Sequence, residues 1–176
     1  MSARKLLLTV FTITLILNLS ADLQAQESGT IQATATVIAG ILITGEHDLI
    51  FGTVLLGIDK TVDKADVGFA GEWLIRGDNS AEITLDFALP DRLMHEDSVA
   101  TMIIDFNNTD ASYDDGSGGG QTSPVDDINP NGPVTLDLGV TGEMTVWIGG
   151  TVRPTISQTG GDYASDVTLT VAYTGN

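Results

Sequence analysis

The residues best placed to do chemistry in this sequence carry oxygens. Asp105, Asn107, Thr109 and Asp110 stand at near-alternate positions, and Asp114, Asp115, Asp126, Asp127, Asn129 and Asn131 follow within the same stretch. Carboxylate and amide oxygens crowded this way are the ligand type of a hard cation, so Asp105, Asn107, Asp110, Asp114 and Asp115 are the candidate calcium ligands. The stretch lacks the glycine at the sixth position and the glutamate at the twelfth that mark a helix-loop-helix calcium site. The competing reading of the same residues is a hydrated acidic loop.

Other chemistries have less to stand on. His47 and His95 are the two histidines, and each lies in an acidic turn, Glu46-His47-Asp48 and His95-Glu96-Asp97, where a solvated ring is expected. No serine occupies a Gly-x-Ser-x-Gly elbow. The absence of cysteine removes disulfides, thiolate nucleophiles and thiolate metal sites. Trp73 and Trp147 read as core or sheet-face packing rather than as platforms for a sugar ring. Gly149-Gly150 and Gly160-Gly161 precede no helical pattern and read as bulge and turn positions rather than phosphate cradles. No catalytic residue is assigned, the chain is not read as an enzyme, and no cofactor beyond calcium is expected.

The elements that would carry these residues begin after an export signal. Arg4 and Lys5 precede an apolar run from Leu6 to Leu19, and small residues follow at Ala21 and Ala25. That order is the order of a cleavable signal peptide over residues 1–25, cut after Ala25 or after Ala21. The apolar run is shorter than the roughly 20 residues of a membrane-spanning helix, so no retained membrane anchor is expected. The formal charge of the whole chain is −17, and loss of Arg4, Lys5 and Asp22 would leave the mature protein slightly more acidic. Such a chain repels nucleic acid and anionic membrane surfaces.

Downstream, apolar residues recur with period two and are punctuated by Gly, Asn, Asp and Pro, which is the pattern of strands and tight turns. Thr30 to Ile38 alternates Ile31, Ala33, Ala35 and Val37 against polar neighbours. Further strands are expected at Ile41 to Thr44, Leu49 to Leu56, Trp73 to Arg76, Ile83 to Phe87, Met102 to Phe106, Val134 to Leu138, Met144 to Val152 and Val167 to Tyr173. Residues 57–68 read as charged turns, and Asn107 to Asn131 as a long loop unable to build a core. Roughly eight to ten strands without an amphipathic helix predict an all-β antiparallel sandwich over residues 39–176, preceded by a strand or extension over 26–38.

Three phrases carry a resemblance: Asp48-Leu-Ile-Phe-Gly-Thr-Val54, Trp147-Ile-Gly-Gly-Thr-Val152, and the ending from Gly161 to Tyr173. In this order after a signal peptide they resemble the bacterial domain of unknown function 4402 family, which is pilin-like, and more distantly the spore coat U and chaperone-usher pilin subunits. The resemblance implies an immunoglobulin-like, pilin-like sandwich lacking its last strand, with the groove filled by the N-terminal extension of a neighbouring subunit. Residues 29–38 look like that extension, with Ile31, Ala33, Ala35 and Val37 entering the groove. The ending, with Gly161 twelve residues before Tyr173 and a stripe of Val167, Leu169, Val171 and Tyr173, is similar to the strand on which a periplasmic chaperone adds its own. The tyrosine departs from the pattern in being followed by Thr174, Gly175 and Asn176. The partners implied are other copies or related pilin subunits, with a periplasmic chaperone and usher in transit and the cell surface or a fimbrium as destination. Two alternatives stay open: residues 30–38 as the domain's own first strand, and a monomeric exported binding module using the acidic loop for calcium or a glycan.

Overall fold

Alternating side chains can be buried on one face only if two such faces meet, and the chain answers this with three antiparallel sheets. The computed structural model describes Gln32 and residues 40–175, over which there are thirteen strands and no helix. The expected signal peptide over residues 1–25 and the expected strand or extension over 26–38, with Ile31, Ala33, Ala35 and Val37, lie outside the described residues apart from Gln32. The first sheet runs in the order β1 (Leu42–His47), β3 (Gly71–Arg76), β10 (Glu143–Ile148), β7 (Ala111–Asp114), β8 (Asp126–Ile128). The second runs β12 (Tyr163–Ala164), β5 (Arg92–His95), β6 (Thr101–Asp105), β11 (Gly150–Arg153), β2 (Lys60–Val62). The third has three strands, β13 (Thr168–Tyr173), β4 (Glu82–Ala88) and β9 (Val134–Asp137).

The first and third sheets face each other across the main core, and the molecule is a β-sandwich. From one side come Ile75 of β3, Met144, Val146 and Ile148 of β10, Ala111 of β7 and Ile128 of β8; from the other come Ile83, Leu85 and Phe87 of β4 and Leu169 of β13. Register makes these rows continuous. Tyr173, Ile83 and Leu136 lie side by side across the third sheet, as do Val171, Leu85 and Val134. Trp73 meets Phe87 edge to face across the sandwich, ring centroids 5.9 Å apart. Each fully buried aliphatic side chain contributes about 1.5–3 kcal/mol, so this layer is the main source of stability in a chain without disulfides.

A smaller cluster of Met102, Ile104 and Val152 lies on one face of the second sheet, with Phe51, Val54, Leu93 and Tyr163 against it. The two cores are joined by one ribbon. The stretch expected as a single strand from Met144 to Val152 is β10 followed by β11, passing from the first sheet into the second at Gly149. A Cβ there would collide with the carbonyl of Val62, so the crossing requires glycine at that position. The antiparallel partner ribbon, β6 followed by β7, makes the same passage through a turn in which the Asp110 N–H donates to the Asn107 carbonyl at 3.1 Å.

Three expectations are corrected. Leu49 to Leu56 is not a strand: Gly52 and Gly57 take positive φ, and the segment bends so that Phe51 and Val54 lie on the second cluster. Residues 107–131 are not one loop, because β7 and β8 pair there as an antiparallel hairpin that extends the first sheet and places Ala111 and Ile128 in the core. Residues 57–68 are not all turn, since β2 pairs with β11.

Candidate functional site

Strand β13 is the clean apolar stripe at the end of the chain. Leu169 is buried, Val171 and Tyr173 are half-buried, and Val167 packs against the same core. Among the described residues β13 pairs only with β4. The Thr174 N–H donates to the Glu82 carbonyl at 3.2 Å. Antiparallel pairs alternate between hydrogen-bonded and non-bonded, so Thr168, Thr170 and Ala172 bond to β4, and the N–H and C=O groups of Leu169, Val171 and Tyr173 point outward. A row of outward donors and acceptors is what a further strand recognises.

The first sheet ends in a second such edge. β1 pairs only with β3 among the described residues, with a register shift between Gly45 and His47. On the far side of β4, β9 leads directly into β10, where the Gly139 N–H donates to the Glu143 carbonyl at 3.3 Å. The Tyr173 hydroxyl accepts the Asp78 N–H at 2.8 Å, just past the end of β3. Ile41, Ile43, Val171 and Tyr173, on or next to these two edge strands, are all partly buried against the main core.

Gly161 is not part of this strand. It precedes β12 in the second sheet, has φ +142°, and a Cβ on it would strike the His95 ring at Nε2. The two ends of the Gly161 to Tyr173 spacing therefore sit in different sheets. His95 is corrected as well, for it is 7 % exposed rather than solvated. Its Nδ1 lies 2.9 Å from Asp97 Oδ1, its Nε2 lies 3.2 Å from the Gly160 carbonyl, and Tyr163 stacks edge-on with centroids 4.9 Å apart. The Asp97 N–H also reaches Nδ1, at 3.1 Å, so the neutral ring accepts there while donating from Nε2 to Gly160, and the protonated ring donates instead to Asp97 Oδ1. The hydrogen bond to Asp97 accordingly raises the His95 pKa against the opposing effect of burial. His47 is exposed and pairs with Glu72 at 2.8 Å.

The five candidate calcium ligands are placed apart in what they do. Asp105 pairs with Arg153, and Asp110 accepts the Asn107 N–H at 2.7 Å to close its turn. Asp115 accepts from the Ser117 backbone N–H at 2.9 Å and hydroxyl at 2.6 Å. Asp114 is 8 % exposed and accepts three backbone N–H groups, from Gly116 at 2.7 Å, Gly118 at 3.1 Å and Gly120 at 2.6 Å. Burial pushes its pKa up, but the amides of Gly120, Gly116 and Gly118 outweigh that and hold it below the usual carboxylate range. Sequence reasoning missed this role. The signal was present as glycines two, four and six residues after the aspartate.

Ser112 and Trp147 face each other across β7 and β10, and the Ser112 hydroxyl and the Trp147 indole N–H are buried without a hydrogen-bond partner among the described residues. Trp147 thus packs on the sheet face, as its type suggested, and Trp73 packs toward the core. No family model matches the chain, and no curated protein matches it.

Proposed function

We propose that this protein is a secreted, pilin-like structural subunit that assembles at the cell surface by β-strand complementation. One observation carries the reading: each of the two sheets that face each other across the main core ends in a strand, β1 in one and β13 in the other, that pairs on one side only among the described residues, with apolar residues at or beside it packed on that core. The strand to be added is residues 30–38 of a neighbouring copy, whose Ile31, Ala33, Ala35 and Val37 would continue the apolar face of the sheet to which it pairs. Burying those four side chains is worth on the order of 5 kcal/mol. The outward backbone groups of Leu169, Val171 and Tyr173 would fix register. A periplasmic chaperone would use the same edge in transit. The resemblance to the pilin-like domain of unknown function 4402 family supports the same reading.

Size-exclusion chromatography of the purified protein with and without residues 26–38 tests it. Assembly of the longer form into species that persist on dilution, and its loss on truncation, is the expected result. If both forms run as the same folded monomer, strand exchange is wrong.

A further inference from the structure

A different surface carries a second inference, one that does not depend on strand complementation. Residues 49–58, Leu-Ile-Phe-Gly-Thr-Val-Leu-Leu-Gly-Ile, hold no charged side chain in a chain of net charge −17. Phe51 and Val54 turn inward onto the second cluster. Leu55, Leu56 and Ile58 face outward at 57–63 % exposure. The turn that presents them is closed by the Ile58 N–H donating to the Leu55 carbonyl at 3.2 Å. A second uncharged stretch, residues 154–161, lies beside it: a Cβ on Gly57 would meet the Ile156 side chain at 2.7 Å, and Ile156 is 85 % exposed. The same segment is held to a further apolar group, where the Ile50 N–H donates to the Phe69 carbonyl at 2.7 Å and Ile50, Phe69 and Val67 are all exposed. At the border, Arg153 neutralises Asp59 at 2.6 Å and also pairs with Asp105.

We infer that this apolar face is a contact between copies of the chain. Leu55, Leu56, Ile58 and Ile156 alone present on the order of 500 Å², the size of the largest patch on a typical monomer, which is often functional, and Ile50, Phe69 and Val67 add exposed apolar surface carried by or bonded to the same segment. Charge selects the occupant. Two bodies of net charge −17 repel over most of their surfaces, and they approach most easily where both are neutral, as they are along 49–58 and 154–161. A basic partner would be drawn instead to the carboxylates elsewhere. Association through this face therefore strengthens with salt, which screens the repulsion and leaves apolar burial in place.

Sedimentation velocity of the purified protein, from micromolar to near-millimolar concentration and at about 0.05 M and about 0.5 M salt, reads this directly. A reversible, concentration-dependent species that tightens in high salt is expected. The paired substitution Leu56→Asp with Ile156→Asp should weaken it by about tenfold or more while the circular dichroism spectrum stays unchanged. The paired Leu56→Ser with Ile156→Ser change serves the same purpose should the aspartates disturb folding. A wild-type protein that stays monomeric throughout overturns the inference, as does a variant that associates as strongly as the wild type. Polymers that persist on dilution equally in wild type and variant leave strand exchange standing and remove this face from the assembly.

Discussion

At the scale of single residues, Asp114 shows why crowded oxygens are a poor guide to a metal. A ligand set needs several oxygens converging on one point, whereas Asp114 is surrounded by amides converging on it. Asp114→Ala removes the acceptor for Gly116, Gly118 and Gly120, and should lower stability by about 2–3 kcal/mol, the scale of hydrogen bonds to a charged group. Urea denaturation would read this as a lower midpoint with an unchanged slope. His95 supplies the pH dependence. Its pKa is raised in the folded state by Asp97, with smaller help from the Gly160 carbonyl, Asp97's charge and Glu96. Its stabilising contribution is therefore complete below the ordinary histidine value of about 6.5 and is lost as pH rises through the higher folded value. Proton NMR titration should place the His95 midpoint above the ordinary histidine value, and a midpoint at or below that value would refute the stabilising role of Asp97. The sequence could not display this site, because the ring's partners Gly160 and Tyr163 stand more than sixty residues away along the chain.

At the scale of elements, strands were legible wherever the alternation fell on one buried face. Ile83, Leu85 and Phe87 announce β4, and Val167, Leu169, Val171 and Tyr173 announce β13, because the side chains facing the core are large and apolar and those facing out are polar or alanine. The failures have equally physical causes. In β7, Ala111-Ser-Tyr-Asp114, a serine and an aspartate are buried beneath the glycine loop, so the polar face does not look like a solvent face. β8 has three residues, two of them aspartate, and β12 has two residues, so neither can show a period. Leu49 to Leu56 is apolar on both sides because one side covers the second cluster and the other stays outside. The crossing of β10 into β11 gives a sharp prediction: Gly149→Ala would drive a methyl into the Val62 carbonyl, and with backbone rather than a flexible side chain in the way, about 3 kcal/mol of stability should be lost. Chemical denaturation beside Gly160→Ala, where a Cβ meets nothing within 4 Å, separates collision from the general cost of replacing glycine.

For the whole molecule, charge was legible from composition alone, with 24 Asp and Glu against seven Lys and Arg. Among the described residues Lys64 pairs with Asp127, Arg76 with Glu143, and Arg153 with Asp59 and Asp105, and the excess of acidic over basic residues stays large. Self-repulsion of this kind weakens the folded state at low ionic strength. Raising salt from about 0.02 M to about 0.5 M shortens the screening length from roughly 20 Å to under 5 Å, and should raise the melting temperature by several degrees in a calorimetric scan; a flat or falling trend would show the repulsion to be unimportant.

The passage of one ribbon pair through both sheets also bears on how the protein comes apart. With β6 running on to β7 and β10 running on to β11, the small cluster and the large one are stitched by the same backbone, and Gly149 is the needle's eye. Heat that loosens Met102, Ile104 and Val152 tugs on the very strands that hold Ala111 and Val146. A body with two greasy centres thus melts as one, and a protease gains no halfway form to trim.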